Sequence, residues 1–154
     1  MKPAIGQPAP DFDLPSNLGY NISLESLKGK KIILYFYPKD NTPGCTKEAC
    51  SFRDAFADLE ELGVVVLGVS RDNTESHKRF AGRYGLPFTL LSDTSGEVSE
   101  KYGVLVEKSN FGIKLKGIER STFLIDEEGK VKMIWEKVKP DKHINDIIGY
   151  LNKS

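Results

Sequence analysis

Two kinds of apolar run alternate along the chain. Ile32–Tyr37 (IILYFY) and Val64–Ser70 (VVVLGVS) are nearly continuous, the pattern of strands covered on both faces. Between them Ala49, Phe52, Phe56 and Leu59 recur at helical spacing, which predicts a helix to about Leu62 with Gly63 as its stop signal. Thr74–Tyr84 reads as a helix with Phe80 and Tyr84 inward, stopped by Gly85. Phe88–Leu91 reads as a short strand, and Ser95–Tyr102 as a short helix ended by Gly103. Residues 104–119 carry no firm pattern and are expected to be loop-rich. Thr122–Asp126 and Val131–Glu136 predict a strand pair around Glu127-Glu128-Gly129-Lys130. Asp141–Leu151 predicts a last amphipathic helix, with Ile144, Ile147, Ile148 and Leu151 on one face. Four prolines (Pro3, Pro8, Pro10, Pro15) make the first segment extended. Short strands are expected there near Phe12–Leu14 and Asn21–Ser23, then one helical turn at Leu24–Leu27.

This order implies an α/β fold, a mixed central β-sheet flanked by helices, in a single domain over residues 1–154. Composition changes little: 39% apolar and 29% charged residues suit a soluble globular protein. Lys+Arg and Asp+Glu balance at 22 each, which argues against a nucleic-acid partner. No apolar stretch approaches the roughly 20 residues that span a bilayer, so no membrane partner is expected. The opening MKPAIGQPAPDF has neither a secretory nor a transit character, so the expected location is cytoplasmic. Thiols there stay reduced, which argues against a structural disulfide.

Both cysteines fall in PKDNTPGCTKEAC, residues 38–50. Thr42 suits an N-cap and Pro43 the first helical position. Cys45 then sits in the first turn, where helix N–H groups and the dipole favour a thiolate. It shares the face of Ala49, Phe52, Phe56 and Leu59, whereas Cys50 lies with Arg53, Asp54 and Ala57. Five helical residues separate Cα atoms by roughly 8–9 Å, but a disulfide rarely exceeds about 6.8 Å. The two sulfurs can therefore join only if the first turns unwind. The residues alone leave quieter readings open: Cys45 as a small core residue, Cys50 as an idle thiol, Thr42 as a cap, Arg120 as a surface arginine, Glu48 as a helix-start acid, Pro38 as a strand stop. His77 reads as a half-buried structural histidine and His143 as peripheral. With two distant histidines and no cysteine cluster, no metal site is expected. No signature of haem, flavin or nicotinamide is present, so no cofactor is expected.

The string Pro38-x-x-x-Thr42-x-x-Cys45 resembles the active-site signature of the peroxiredoxins. FYPKDNTPGCTKEACSFRD is similar to the bacterioferritin comigratory protein, or Q-type, branch, and APDFDL, LKGKKIILYFYP, LGVSRD, Ser76-His77, LLSD and GIERSTFLID extend the likeness over nearly the whole chain. The resemblance implies a thioredoxin-like fold with an N-terminal extension. It implies reduction of hydrogen peroxide and organic hydroperoxides, with Cys45 as peroxidatic and Cys50 as resolving cysteine in an intramolecular disulfide. Thr42, Pro38 and Arg120 match the family's active-site threonine, proline and arginine, and Glu48 a glutamate that orients the arginine. The implied partners are a hydroperoxide and thioredoxin or a similar dithiol, and the implied state is a monomer. Complete ionisation of a free cysteine gains only roughly 10- to 30-fold in thiolate at pH 7. Enzymes accelerate reactions by at least about 10⁶-fold, so most of the effect is expected from groups that stabilise the breaking O–O bond, Thr42 and Arg120 first. A thiol–disulfide exchanger acting on proteins and a chaperone-like or signalling protein are the rival readings.

Overall fold

The computed structural model describes residues 2–153, with Lys108 and Asn110 described as backbone only. Met1 and Ser154, the ends of the expected domain, lie outside it. The elements are β1 (Asp13–Pro15), β2 (Asn21–Ser23), a 3₁₀ turn at Glu25–Leu27, β3 (Lys31–Phe36), α1 (Pro43–Asp54), α2 (Phe56–Glu61), β4 (Val64–Ser70), α3 (Thr74–Tyr84), β5 (Thr89–Ser92), α4 (Glu97–Lys101), β6 (Leu105–Asn110), β7 (Ile113–Ile118), β8 (Ser121–Ile125), β9 (Val131–Trp135) and α5 (His143–Lys153). The main sheet has the order β5-β4-β3-β8-β9. β3 runs parallel to β4, and β4 to β5, while β8 runs antiparallel to both of its neighbours, β3 and β9.

The period-2 alternation of β3 builds both cores at once. Ile32, Leu34 and Phe36 pack on one face with Phe12, Tyr102, Val104 and Phe123. Ile33, Tyr35 and Tyr37 pack on the other with Phe52, Leu59, Phe80 and Ile147 from the helices. That two-sided burial explains why β3 and β4 read as unbroken apolar runs.

The helix expected to reach Leu62 is two helices. Ala55, at φ −97° and ψ 4°, breaks the geometry between α1 and α2. Residues 104–119, expected as loop, form the antiparallel hairpin β6–β7, with Leu105 opposite Ile118 and Asn110 opposite Ile113. Its apolar positions escaped notice because several face water: Phe111 is 95% exposed, and Ile113 and Leu115 are exposed as well. The last helix lies two residues later than expected, at His143–Lys153.

The N-terminal segment bonds to both edge strands of the main sheet. Gly6 N–H donates to Val131 O, Val131 N–H to Gln7 O, and Ala9 N–H to Gly129 O, alongside β9. At the opposite edge Asn17 N–H donates to Leu90 O while Asn17 Oδ1 accepts from Leu90 N–H. No helix among the described residues is long and apolar enough to cross a membrane.

Candidate active site

The loop leaving the carboxyl end of β3 turns into α1 through Asn41, which takes φ +63°, a conformation asparagine tolerates better than most residues. Thr42 holds the N-cap position with extended backbone, and Pro43 is the first helical residue. The expected side-chain cap is not made. Thr42 Oγ1 donates to Lys39 O at 2.9 Å instead, so its proton is engaged and its lone pairs remain as acceptors.

In α1 the buried residues are Cys45, Glu48, Ala49 and Phe52, at i, i+3, i+4 and i+7. An acidic residue thus occupies an otherwise apolar stripe. Cys45 is 1% exposed and packs in the cluster that contains Tyr35, Tyr37 and Phe52. Across from it stands Arg120, half-buried, immediately before β8. Its Nη1 lies 3.3 Å from Cys45 Sγ and 3.1 Å from Glu48 Oε1. The guanidinium lies close to the backbone of Gly44: a methyl there would sit 3.1 Å from Arg120 Nη2 and 3.6 Å from Pro140 Cγ, so the arginine would have to yield by a few tenths of an ångström. From the far side Val138 N–H donates to the Arg120 carbonyl at 3.0 Å.

Glu48 is incompletely served. Arg120 reaches one carboxylate oxygen, and Oε2 has no partner among the described residues. Burial therefore outweighs the guanidinium and pushes the Glu48 carboxyl up to about 7. Tyr35 forms the floor, stacked on Phe52 at 4.5 Å and on Tyr37 at 5.4 Å between ring centres. A methyl on Gly68 would meet its ring and hydroxyl at 2.9 Å. Burial raises the Tyr35 hydroxyl well above its ordinary range, so it stays neutral.

The expected residues thus separate into two groups. Arg120 touches both Cys45 and Glu48. Thr42 and Pro38 flank them in the loop, both half-buried, with Pro38 lining a cleft alongside Lys39, Arg71 and Lys116. Cys50 is half-buried on the same helix, and both cysteines are free thiols.

Both histidines differ from expectation. His77 is fully buried, with Nδ1 2.7 Å from Asp40 Oδ2 and Nε2 3.0 Å from Leu91 O. Asp40 also accepts from Tyr37 Oη at 2.6 Å and Ser76 Oγ at 2.8 Å, and its N–H donates to Asp72 Oδ2 at 2.8 Å. Asp40, Asp72 and His77 offer ligand atoms within 4.8 Å of one another. Those atoms already hold hydrogen bonds, Asp72 Oδ2 also accepting from Ser70 Oγ, so the group is a polar lock in its geometry. His143 is not peripheral: it is 2% exposed, its Nε2 lies 2.7 Å from Thr122 Oγ1, and its ring meets Phe52 and Trp135 edge-on. Burial pushes its pKa down to about 4, so it is neutral at pH 7. Sequence reasoning missed Asp40 and Gly44. A glycine in the first turn of a helix was the available signal, since it costs stability unless a close approach requires it.

The AhpC/TSA family model matches residues 5–134. A putative peroxiredoxin bcp of Coxiella burnetii is 58% identical over 151 residues, covering 98% of this chain and all of its own. The peroxiredoxin Bcp of Bacillus subtilis is 49% identical over 144 residues, covering 94% and 92%. The bacterioferritin comigratory protein of Xanthomonas campestris superposes with a TM-score of 0.91 at 35% identity, over 97% of this chain and 98% of that one. That structure comes from work on alkyl peroxide reduction with a trapped intermediate/ligand complex.

Proposed function

The chain belongs to the AhpC/TSA family and is a thiol peroxidase of the peroxiredoxin Bcp/Q type; from that premise we propose that Cys45 is its peroxidatic sulfur and Cys50 its resolving one, the whole chain working as one domain. The observation that carries the assignment is Arg120 Nη1, 3.3 Å from Cys45 Sγ while tethered to Glu48.

The substrate is a hydroperoxide and the electrons come from thiols. Cys45 thiolate attacks the distal oxygen of ROOH. An S–O bond forms, the O–O bond breaks, and the leaving alkoxide takes a proton to become ROH. Sulfur is oxidised to sulfenic acid. Arg120 supports the negative charge that develops on the oxygens, and Thr42 Oγ1 accepts the hydrogen bond of the peroxide O–H. With the Thr42 proton on Lys39 O, the hydroxyl is oriented for accepting before substrate arrives. Pro38 shields the sulfur from water.

Cys50 then attacks the sulfenic sulfur, forming the disulfide and releasing water. Both cysteines belong to the unbroken helix α1, so closure unwinds its first turns. A dithiol of the thioredoxin class restores both thiols by exchange. The intramolecular disulfide requires no second subunit, which favours a monomer. A cytoplasmic location fits free cysteines that cycle between thiol and disulfide.

Stopped-flow mixing of reduced protein with equimolar hydrogen peroxide tests the assignment, read by intrinsic fluorescence. A fast transient lost in Cys45→Ser is expected. In Cys50→Ser the first phase persists and sulfenic acid accumulates. A protein that reacts no faster than free cysteine refutes the assignment, as does undiminished turnover with thioredoxin in Cys50→Ser.

A further inference from the structure

The disulfide of the proposed cycle demands that α1 unwind, and a segment that unwinds repeatedly needs an end to the unwinding. The loop before α1 carries such an end. Asp40 is held by four bonds from three parts of the fold: its Oδ1 by Tyr37 Oη, its Oδ2 by Ser76 Oγ and His77 Nδ1, and its N–H by Asp72 Oδ2. His77 is bonded at both ring nitrogens, the second to Leu91 O of β5. Both ring nitrogens of His77 thus face oxygens, one on the loop that precedes α1 and one on β5. Tyr37, Asp40 and His77 are buried.

Two residues further on the grip ends. Asn41 and Thr42 are exposed and half-buried. Thr42 holds one side-chain bond, back to Lys39, and Asn41 sits at φ +63°. The chain passes from a saturated, buried anchor to a weakly held helix start within two residues.

We propose that the Asp40–His77 pair is the fixed boundary of the redox switch, holding the chain through residue 40 while the segment from Asn41 onward moves. His77 is then a positioning residue: by tethering the root of the loop it sets the balance between the helical, peroxide-reactive conformer and the unwound, disulfide-competent one. The proposal rests on the Cys45–Cys50 pairing above.

Population arithmetic gives it a signature. While the helical conformer is the majority, a roughly tenfold shift toward the unwound one raises that minority about tenfold and hardly lowers the majority. Weakening the anchor should therefore quicken disulfide closure and spare the peroxide step. A role through the bond to Asp40, as against packing of the ring, shows in whether closure depends on which ring nitrogen is replaced.

Two substitutions separate bond from ring. The amide of His77→Asn falls near Nδ1 and can still donate to Asp40. That of His77→Gln falls near Nε2 and favours Leu91 O. Stopped-flow fluorescence resolves a first phase that scales with peroxide concentration and a second that does not, and mass spectrometry identifies the product. His77→Gln is expected to speed the second phase about tenfold and leave the first within about twofold. His77→Asn should stay closer to the unsubstituted enzyme. Ser76→Ala removes one Asp40 donor at a half-buried position, and should speed closure less; it carries the test if His77→Gln does not fold. Closure that is unchanged or slower in the variants that fold overturns the boundary. Equal behaviour of the Asn and Gln variants does so too, because it assigns the effect to the ring. If the unsubstituted enzyme oxidises Cys45 and no Cys45–Cys50 disulfide forms, the pairing is wrong and the boundary falls with it.

Discussion

Asp40 and Glu48 are buried carboxylates on either side of the start of α1, and their surroundings treat them oppositely. Every lone-pair direction that Asp40 uses has a donor, drawn from Tyr37, Ser76 and His77. Glu48 has one donor, Arg120, and one bare oxygen. A saturated buried carboxylate rigidifies its neighbourhood, because any displacement leaves several polar groups unpaired. A half-served one leaves its neighbourhood ready to rearrange. On the Asp40 side both carboxylate oxygens have donors; on the Glu48 side, next to Cys45, one oxygen has none among the described residues.

The sharpest way to break this comparison is to neutralise each acid. Asp40→Asn replaces an acceptor that faces two donors with an amide. A buried donor left unpaired costs about 1–3 kcal/mol, and two donors face Oδ2, so urea unfolding of the reduced protein should register a loss of several kcal/mol. A loss below about 1 kcal/mol would mean that Asp40 anchors nothing.

Next comes the shared partner. Arg120→Met removes the donor on both Cys45 and Glu48, and should lower the second-order rate with hydrogen peroxide by about 10²–10³-fold, the usual cost of one oxyanion donor. A fall of less than tenfold would remove Arg120 from the chemistry.

Third, Glu48→Gln should change stability in the opposite sense to Asp40→Asn. In the folded chain Glu48 keeps its proton to about pH 7, against an ordinary value of 4.5. The folded state therefore binds more protons between those values, and stability falls as pH rises through 7. The variant lacks this dependence. Its stability relative to the unsubstituted protein should rise by about 3 kcal/mol from pH 4 to pH 8. A constant difference across that range would mean that Glu48 is ionised throughout.

Much of this was legible in the sequence. β3 and β4 were visible because burial on both faces writes continuous apolar runs, and the resemblance drew attention to Cys45, Glu48 and Arg120, which the structure brings together. The Asp40–His77 lock was not visible, since it joins residues 37 positions apart through a loop and a helix. Periodicity describes which face of an element is buried, and a single histidine on the inward face of α3 looks alike whether or not it has an acid partner. The hairpin β6–β7 was missed for the converse reason: Ile113 and Leu115 alternate correctly but point to solvent, where no core confirms the pattern. Glu48 in the apolar stripe of α1 was readable, and its meaning required Arg120, 72 residues away.

The N-terminal segment that lies along both outer strands has a consequence for survival under oxidative stress. Unpaired strand borders let neighbouring molecules zip together into aggregates. Here one border is occupied by Gly6, Gln7 and Ala9 and the other by Asn17. If α1 unwinds during the proposed cycle, it does so beside sheet borders that are partly occupied, at Val131 and at Leu90, by the chain's own N-terminal segment.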